Sequence, residues 1–186
     1  MERTEADTPP LQSSDEATQE QLQLAIEQGD AYQKALDSMV SKEAHGSEMR
    51  AGEYLVGYAV EEAEGMYHWM DGKLHWQDPQ DENVHIEITV RDGADGRFIP
   101  GLNVIVTVID DKGRAIGIYQ QPFLWHPWLF HYGRNWKIPR DGIYTLRVHI
   151  EPPDFMRHDK KNGLRFREPV EVEFSNVKLE TGQKIS

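Results

Sequence analysis

The sequence predicts an all-β fold, a two-sheet antiparallel sandwich behind an N-terminal helical extension. Three observations lead there. From residue 53 onward apolar residues recur at alternate positions, the period of strands with one face in a core. Between these runs lie Asp92-Gly93, Asp95-Gly96, Asp111-Lys112-Gly113 and Arg140-Asp141-Gly142, residues that accept tight-turn dihedrals and so join antiparallel neighbours. Before residue 50 the apolar spacing is three and four, that of an amphipathic helix.

Taken in order, residues 1 to 14 are polar, carry Pro9 and Pro10, and are expected to be disordered. Ser13 followed by Glu16 reads as a capping box opening a helix over 15 to 42. Its stripe is Leu22, Ile26, Gly29, Tyr32, Leu36, Met39 and Val40, with Gly29-Asp30 as a weak point that could divide it in two. The stripe predicts docking on another surface, since isolated helices are costly to nucleate. Residues 1–50 are thus a disordered tail and helical extension, and 51–186 the sandwich. Its strands are expected at 53 to 60, 66 to 70, 84 to 91, 102 to 110, 115 to 120, 143 to 150 and 168 to 174, and Pro152-Pro153 ends a strand.

Composition limits the chemistry. The chain has no cysteine, which excludes thiolate zinc sites, iron–sulfur clusters, blue-copper centres and disulfides. A metal would be held by histidine, carboxylate, methionine, backbone or water. The formal net charge of −12 disfavours nucleic acid and anionic membranes and concentrates cations. No apolar run is long enough to span a bilayer. No signal peptide is recognisable, which leaves a cytoplasmic protein or one whose targeting segment has been removed.

Three polar clusters stand out, His85-Ile86-Glu87, His131-Tyr132-Gly133 and Phe155-Met156-Arg157-His158-Asp159. Alternate strand residues share a face, so His85 and Glu87 project side by side as half of a divalent-cation site. His131 and His158 are placed on loops that complete it. The plain alternative for His85 is a strand histidine paired with Glu87 and nothing else. His68, His75 and His149 read as structural, His149 with the option of orienting His158, and His45 as solvated. Arg157 and Asp159 are expected to hold their loop through an ion pair or backbone hydrogen bonds. Tyr132 and Gly133 read as architectural, the glycine turning the chain after His131. The aromatics of 119 to 136, Trp125 and Trp128 among them, suit an interface.

Residues from about 53 to 174 resemble the periplasmic ferrous-iron transport protein family, soluble copper- and iron-binding proteins that accompany a membrane iron permease. The family's His-x-Glu, His-Tyr-Gly after a proline loop, and Phe-x-Arg-His with Asp-Lys and a glycine are matched here. The matching residues are His85-Ile86-Glu87, then Pro122 with His131-Tyr132-Gly133, then Phe155-Met156-Arg157-His158-Asp159-Lys160 with Gly163. Glu64-Gly65-Met66 is similar to the family's early glycine–methionine pair. The resemblance implies an Ig-like sandwich, a copper and/or iron ion held by His85, Glu87, His131 and His158, a homodimer, a permease partner, and a periplasmic or other extracytoplasmic location.

One ligand departs from the pattern. Where the family has a methionine after the loop proline, this chain has Phe123 and Leu124, and His126 is the nearby side chain that can substitute. Imidazole in place of thioether shifts a site from copper(I) toward copper(II), iron or zinc. The expected function is non-enzymatic metal binding in extracytoplasmic iron uptake, with redox cycling of iron as an open side activity. The alternatives are a non-haem iron(II) enzyme built on the His-x-Glu…His triad, and a metal-free sandwich module that binds a partner.

Overall fold

The computed structural model describes residues 8–42 and 45–184. In chain order the elements are α1 (Gln19–Lys42), β1 (His45–Ala51), β2 (Tyr54–Glu61), β3 (Ala63–Glu64), β4 (Met66–Met70), β5 (Lys73–Gln77), β6 (Val84–Asp92), β7 (Val104–Ile109), β8 (Ala115–Gln120), β9 (Phe123–Trp125), β10 (Phe130–Trp136), β11 (Gly142–Ile150), β12 (Val170–Leu179) and β13 (Gln183–Lys184). The sheets are β1-β2-β6-β10-β9 and β12-β11-β7-β8, both antiparallel, and they enclose the core as a sandwich. Val84, Ile86, Ile88 and Val90 of β6 share that core with Val106, Val108, Leu146 and Val148.

Every residue of β6 is buried. Its odd-numbered residues, His85, Glu87, Thr89 and Arg91, point away from the sandwich core, and α1 covers that outer face. The buried stripe of α1 is Leu22, Ala25, Gly29, Leu36 and Met39, with Tyr32 half-buried, whereas Ile26 and Val40 are exposed and lie off it. Leu36 and Met39 pack on Ala59 of β2 and on Leu129. The Tyr32 hydroxyl donates to the Phe130 carbonyl, and Gln33 Oε1 accepts from Arg91 at 2.6 Å. The predicted docking of the helix is therefore onto the sheet itself.

Gly29 does not divide the helix. A Cβ there would lie 1.8 Å from the Asp95 carbonyl oxygen, so glycine is what lets α1 lie against the turn after β6. The capping box falls at Thr18 and Gln21 instead of Ser13 and Glu16. Thr18 N–H donates to Gln21 Oε1 at 2.8 Å, and Gln21 N–H to Thr18 Oγ1 at 3.3 Å.

Residues 1–7 of the expected disordered tail lie outside the described residues, and residues 8–14 are packed against the sandwich. Thr8 is buried, Gln12 exchanges hydrogen bonds with Asn162, and Ser14 Oγ donates to Asp159 at 2.7 Å. The sheet also begins before residue 51, because β1 runs from His45 and pairs with β2 along its whole length. β10 was expected as a loop. Its strand nature follows from Phe130, Tyr132 and Trp136 at alternate positions, two of which, Tyr132 and Trp136, are buried in the core. The 66 to 70 strand acquires a partner, β5, across Asp71-Gly72, both at positive φ as a two-residue hairpin turn requires.

A buried histidine–glutamate centre

Two hydrogen-bonded strands bring the ligand candidates together. On β6, His85 and Glu87 share the outer face, and on the adjacent β10 the same face carries His131, Gly133 and Asn135. In register His85 lies opposite Asn135 and Glu87 opposite Gly133. His85 Nε2 is 3.7 Å from Glu87 Oε1, and His131 Nε2 is 3.3 Å from the same oxygen. All three side chains are buried, and each offers a donor atom within 4.8 Å of the others.

The imidazoles are poorly satisfied by protein. Asn135 Oδ1 sits 2.9 Å from His85 Nδ1, which fixes that ring with Nε2 turned to Glu87. No hydrogen bond reaches His85 Nε2 or either ring nitrogen of His131 among the described residues. Buried polar groups are ordinarily bonded, so nitrogens left in this way fit an ion as their partner. Gly133 lies between the two rings. A Cβ there would be 3.0 Å from the Ile86 carbonyl oxygen, 3.2 Å from His85 Nε2 and 3.3 Å from His131 Cδ2. The glycine is mid-strand and leaves the space where the donors converge; it does not turn the chain back, as the sequence suggested.

Electrostatics favours the neutral, ligating form of both histidines. Burial pushes His85 below the usual imidazole range, partly opposed by the Glu64 carboxylate and the Asn135 hydrogen bond. Burial lowers His131 to about 3, with His85 and His126 adding to the shift. His126 is thus close enough to be felt by His131. It opens the turn joining β9 to β10, where its N–H donates to the Leu129 carbonyl at 3.1 Å, and its Nδ1 is buried without a hydrogen bond. Its ring also stands edge-on to Trp128 at 5.3 Å, so it belongs to the aromatic patch as well.

His158 is not brought to this centre. It is 92% exposed, Nδ1 lies 2.9 Å from Glu16 Oε2, and its surroundings include Asp92, Phe155 and Arg165 at the far end of β6. Asp92 is seven residue steps along the strand from His85, about 24 Å at roughly 3.4 Å per step. The expectation that His158 completes the site from its own loop fails for this reason. The loop is held as anticipated through backbone contacts: Asp159 accepts from the Lys161 and Asn162 N–H groups at 2.7 and 3.0 Å, and Arg157 donates to the Phe155 and Pro153 carbonyls at 3.4 Å. His149 pairs with Glu151 at 2.9 Å, not with His158. Tyr132 is architectural, its hydroxyl donating to the Ile99 carbonyl at 2.7 Å and accepting from Leu102 N–H at 3.0 Å.

Sequence reasoning missed Asn135, Glu61 and Glu64. Asn135 was legible as the third outward residue of the His131-x-Gly133-x-Asn135 alternation. Glu61, Glu64 and Glu87 form a second carboxylate group within 4.8 Å, adjoining the histidines, with Glu64 Oε1 4.0 Å from His85 Nε2. Lys184 from β13 pairs with Glu61 and lies 3.7 Å from Glu64. The parallel pairing of β13 with β3 brings it there, a contact between chain segments far apart in sequence.

A sandwich with a buried two-histidine, one-carboxylate cluster on an outer sheet face, three of its four ring nitrogens without a hydrogen bond among the described residues, defines a metal-binding β-protein. The chain belongs to the Fe2+ transport protein family, whose model matches residues 40–180. Among solved structures it is similar to a copper-bound variant of FetP from uropathogenic Escherichia coli strain F11 (25% identity, TM-score 0.59, covering 74% of this chain and 98% of that one). FetP as isolated after recombinant expression in the E. coli periplasm gives 22% identity and a TM-score of 0.59, over 74% and 95% of the two chains. Copper-reconstituted P19 of Campylobacter jejuni gives 18% and 0.61, over 76% and 98%. No curated protein sequence matches the chain. Nearly all of α1 lies ahead of the matched residues. No helix among the described residues is long and apolar enough to cross a membrane.

Proposed function

We propose that this chain binds a copper or iron ion through His85, Glu87 and His131, with His126 beside them, and serves ferrous-iron uptake outside the cytoplasm alongside a membrane iron permease. The observation that carries the reading is the pair of buried imidazoles in which His85 Nε2 and both His131 nitrogens receive no hydrogen bond among the described residues, set around a carboxylate and a glycine-sized gap. Family membership supplies the ion class and the transport context. The donor set contains no thioether, so the site takes copper(II) or iron(II) more readily than a methionine-containing relative would. Bound there, the metal would be a cation exchanging ligands, with Asn135 holding His85 in its ligating tautomer.

His158 enters this reading only from a second copy. A two-fold dimer whose axis runs across the strands would set the far end of one subunit against the near end of the other, and so carry an exposed residue at one end to a site at the opposite end. Exposed Phe123, Trp125, Trp128 and Phe130 supply apolar surface for such a contact. The donor set is also that of iron(II) oxygenases, and substrate-dependent oxygen consumption by the iron-loaded protein would replace the transport reading with that one.

The test is copper(II) and iron(II) titration of the wild type and of His85→Ala/His131→Ala. Wild type should bind one ion per chain at this centre and the double variant should lose it; equal binding by both would refute the proposal. For the dimer, His85→Ala and His158→Ala should each bind weakly alone. Mixed, they should recover binding in heterodimers that hold one complete site.

A further inference from the structure

The β4–β5 hairpin presents a face that the centre above does not use. Met66, His68 and Met70 alternate along β4 and therefore point to one side, with Lys73, His75 and Gln77 of β5 on the same side. His68 and His75 are directly opposite in register, which sets their Cβ atoms about 4.5–5.5 Å apart. Both are exposed, and among the described residues neither makes a hydrogen bond or ion pair. They are not the structural histidines the sequence suggested. The other face carries Tyr67 and Trp76, whose rings meet edge to face at 5.0 Å, and gives the hairpin its own packing.

A sulfur is drawn along this face toward the histidine pair. Gln77 Nε2 donates to Met70 Sδ at 3.2 Å, although Gln77 is opposite Met66 and so four residues, about 13 Å, along the hairpin from Met70. Two long side chains meeting across that gap meet near its midpoint, which is the row holding His68 and His75. Two imidazoles and a thioether thus share the exposed face of a hairpin closed by a two-residue turn. Met66 stands one position further along.

We propose that this face is a second metal site, taking copper(I) through His68, His75 and Met70. Thioether sulfur selects soft copper(I) over hard cations, and imidazole binds copper in either oxidation state, so the sulfur sets the preference of this face relative to a site without one. The buried centre, made of imidazole and carboxylate alone, favours harder ions, so the two sites differ in the ion they prefer. A groove of about 900 Å³ runs from Met66 and His68 to Gly133 and Asn135 beside the buried centre. Of the three ligands of the hairpin site, His68 lines that groove. The proposal does not depend on the assignment of the buried centre.

The test is anaerobic copper(I) titration of the full chain against a chromogenic copper(I) chelator. The variants are His68→Asn/His75→Asn, Met70→Leu and His85→Ala/His131→Ala, with circular dichroism to check that each is folded. The hairpin double variant should lose one copper(I) equivalent, and Met70→Leu should weaken that equivalent at least tenfold and remove its sulfur scatterer from the X-ray absorption spectrum. His85→Ala/His131→Ala should retain it. Undiminished copper(I) binding in His68→Asn/His75→Asn, or none in His85→Ala/His131→Ala, overturns the proposal. Loss confined to the hairpin variants upholds it even if the buried centre binds nothing.

Discussion

Gly133→Ala tests whether the space between the two rings is the functional element of the centre. The added methyl would meet a backbone oxygen at 3.0 Å, an imidazole nitrogen at 3.2 Å and an imidazole carbon at 3.3 Å, each some tenths of an ångström inside ordinary contact. Two of the three cannot yield cheaply. Ile86 belongs to a central strand bonded on both sides, and the His85 ring is buried and held by Asn135. Overpacking of this kind costs about 1–3 kcal/mol. Restricting the unfolded chain returns about 0.4–1 kcal/mol. The net expectation is a loss of about 1–2 kcal/mol in urea unfolding of the metal-free protein. Metal affinity should fall further, about 10–100-fold, since the rings are pushed from the geometry that lets them share an ion. Copper(II) titration and urea unfolding on the same samples read both effects. An alanine variant that binds copper(II) as tightly as wild type would refute the reasoning.

Other expectations follow from the same contacts. Asn135→Ala removes the partner of His85 Nδ1 and should weaken metal binding about 10–100-fold in the same titration. Metal-free stability should fall with acid. The unfolded state takes up protons as pH drops through about 6.5, while native His131 stays neutral until about 3, so stability is present above pH 6.5 and is lost below it. The slope is at most about 1.4 kcal/mol per pH unit per histidine; His131→Gln should flatten it between pH 7 and 5, and an unchanged slope would count against the buried neutral ring. Tyr132→Phe leaves the buried Leu102 N–H without its acceptor and should cost about 1–3 kcal/mol in urea unfolding.

The strand carrying His85 and Glu87 was legible because a single alternation defined both its core face and its ligand face. β10 was not, because its outward positions hold His131, Gly133 and Asn135, a pattern that resembles a loop until the inward aromatics are read alone. The hairpin was missed at its turn: Asp71-Gly72 carries the same signal as the turns that were recognised. The family motif grouped His158 with His85 and His131, yet a motif records order along the chain, and the sandwich sends its three parts to two ends. Lys184 beside Glu61 depends on parallel pairing of two-residue strands, which no local pattern announces. Gly29 looked like a break because propensity was weighed without the surface the helix approaches.

His85 and Glu87 sit on the middle strand of five, bonded to β2 on one side and β10 on the other, so neither can shift without tearing two ladders. The spacing of these donors is a property of the sheet and is set before any ion arrives. An ion bound there would meet a spacing already fixed, instead of a site folding around it. Whatever mismatch remains must be absorbed by the groups that do not belong to the ladders, the His126 turn and solvent. Exchange of the ion should accordingly track the mobility of that turn, and metal loading should leave the amide protection of β6 and β10 nearly unchanged.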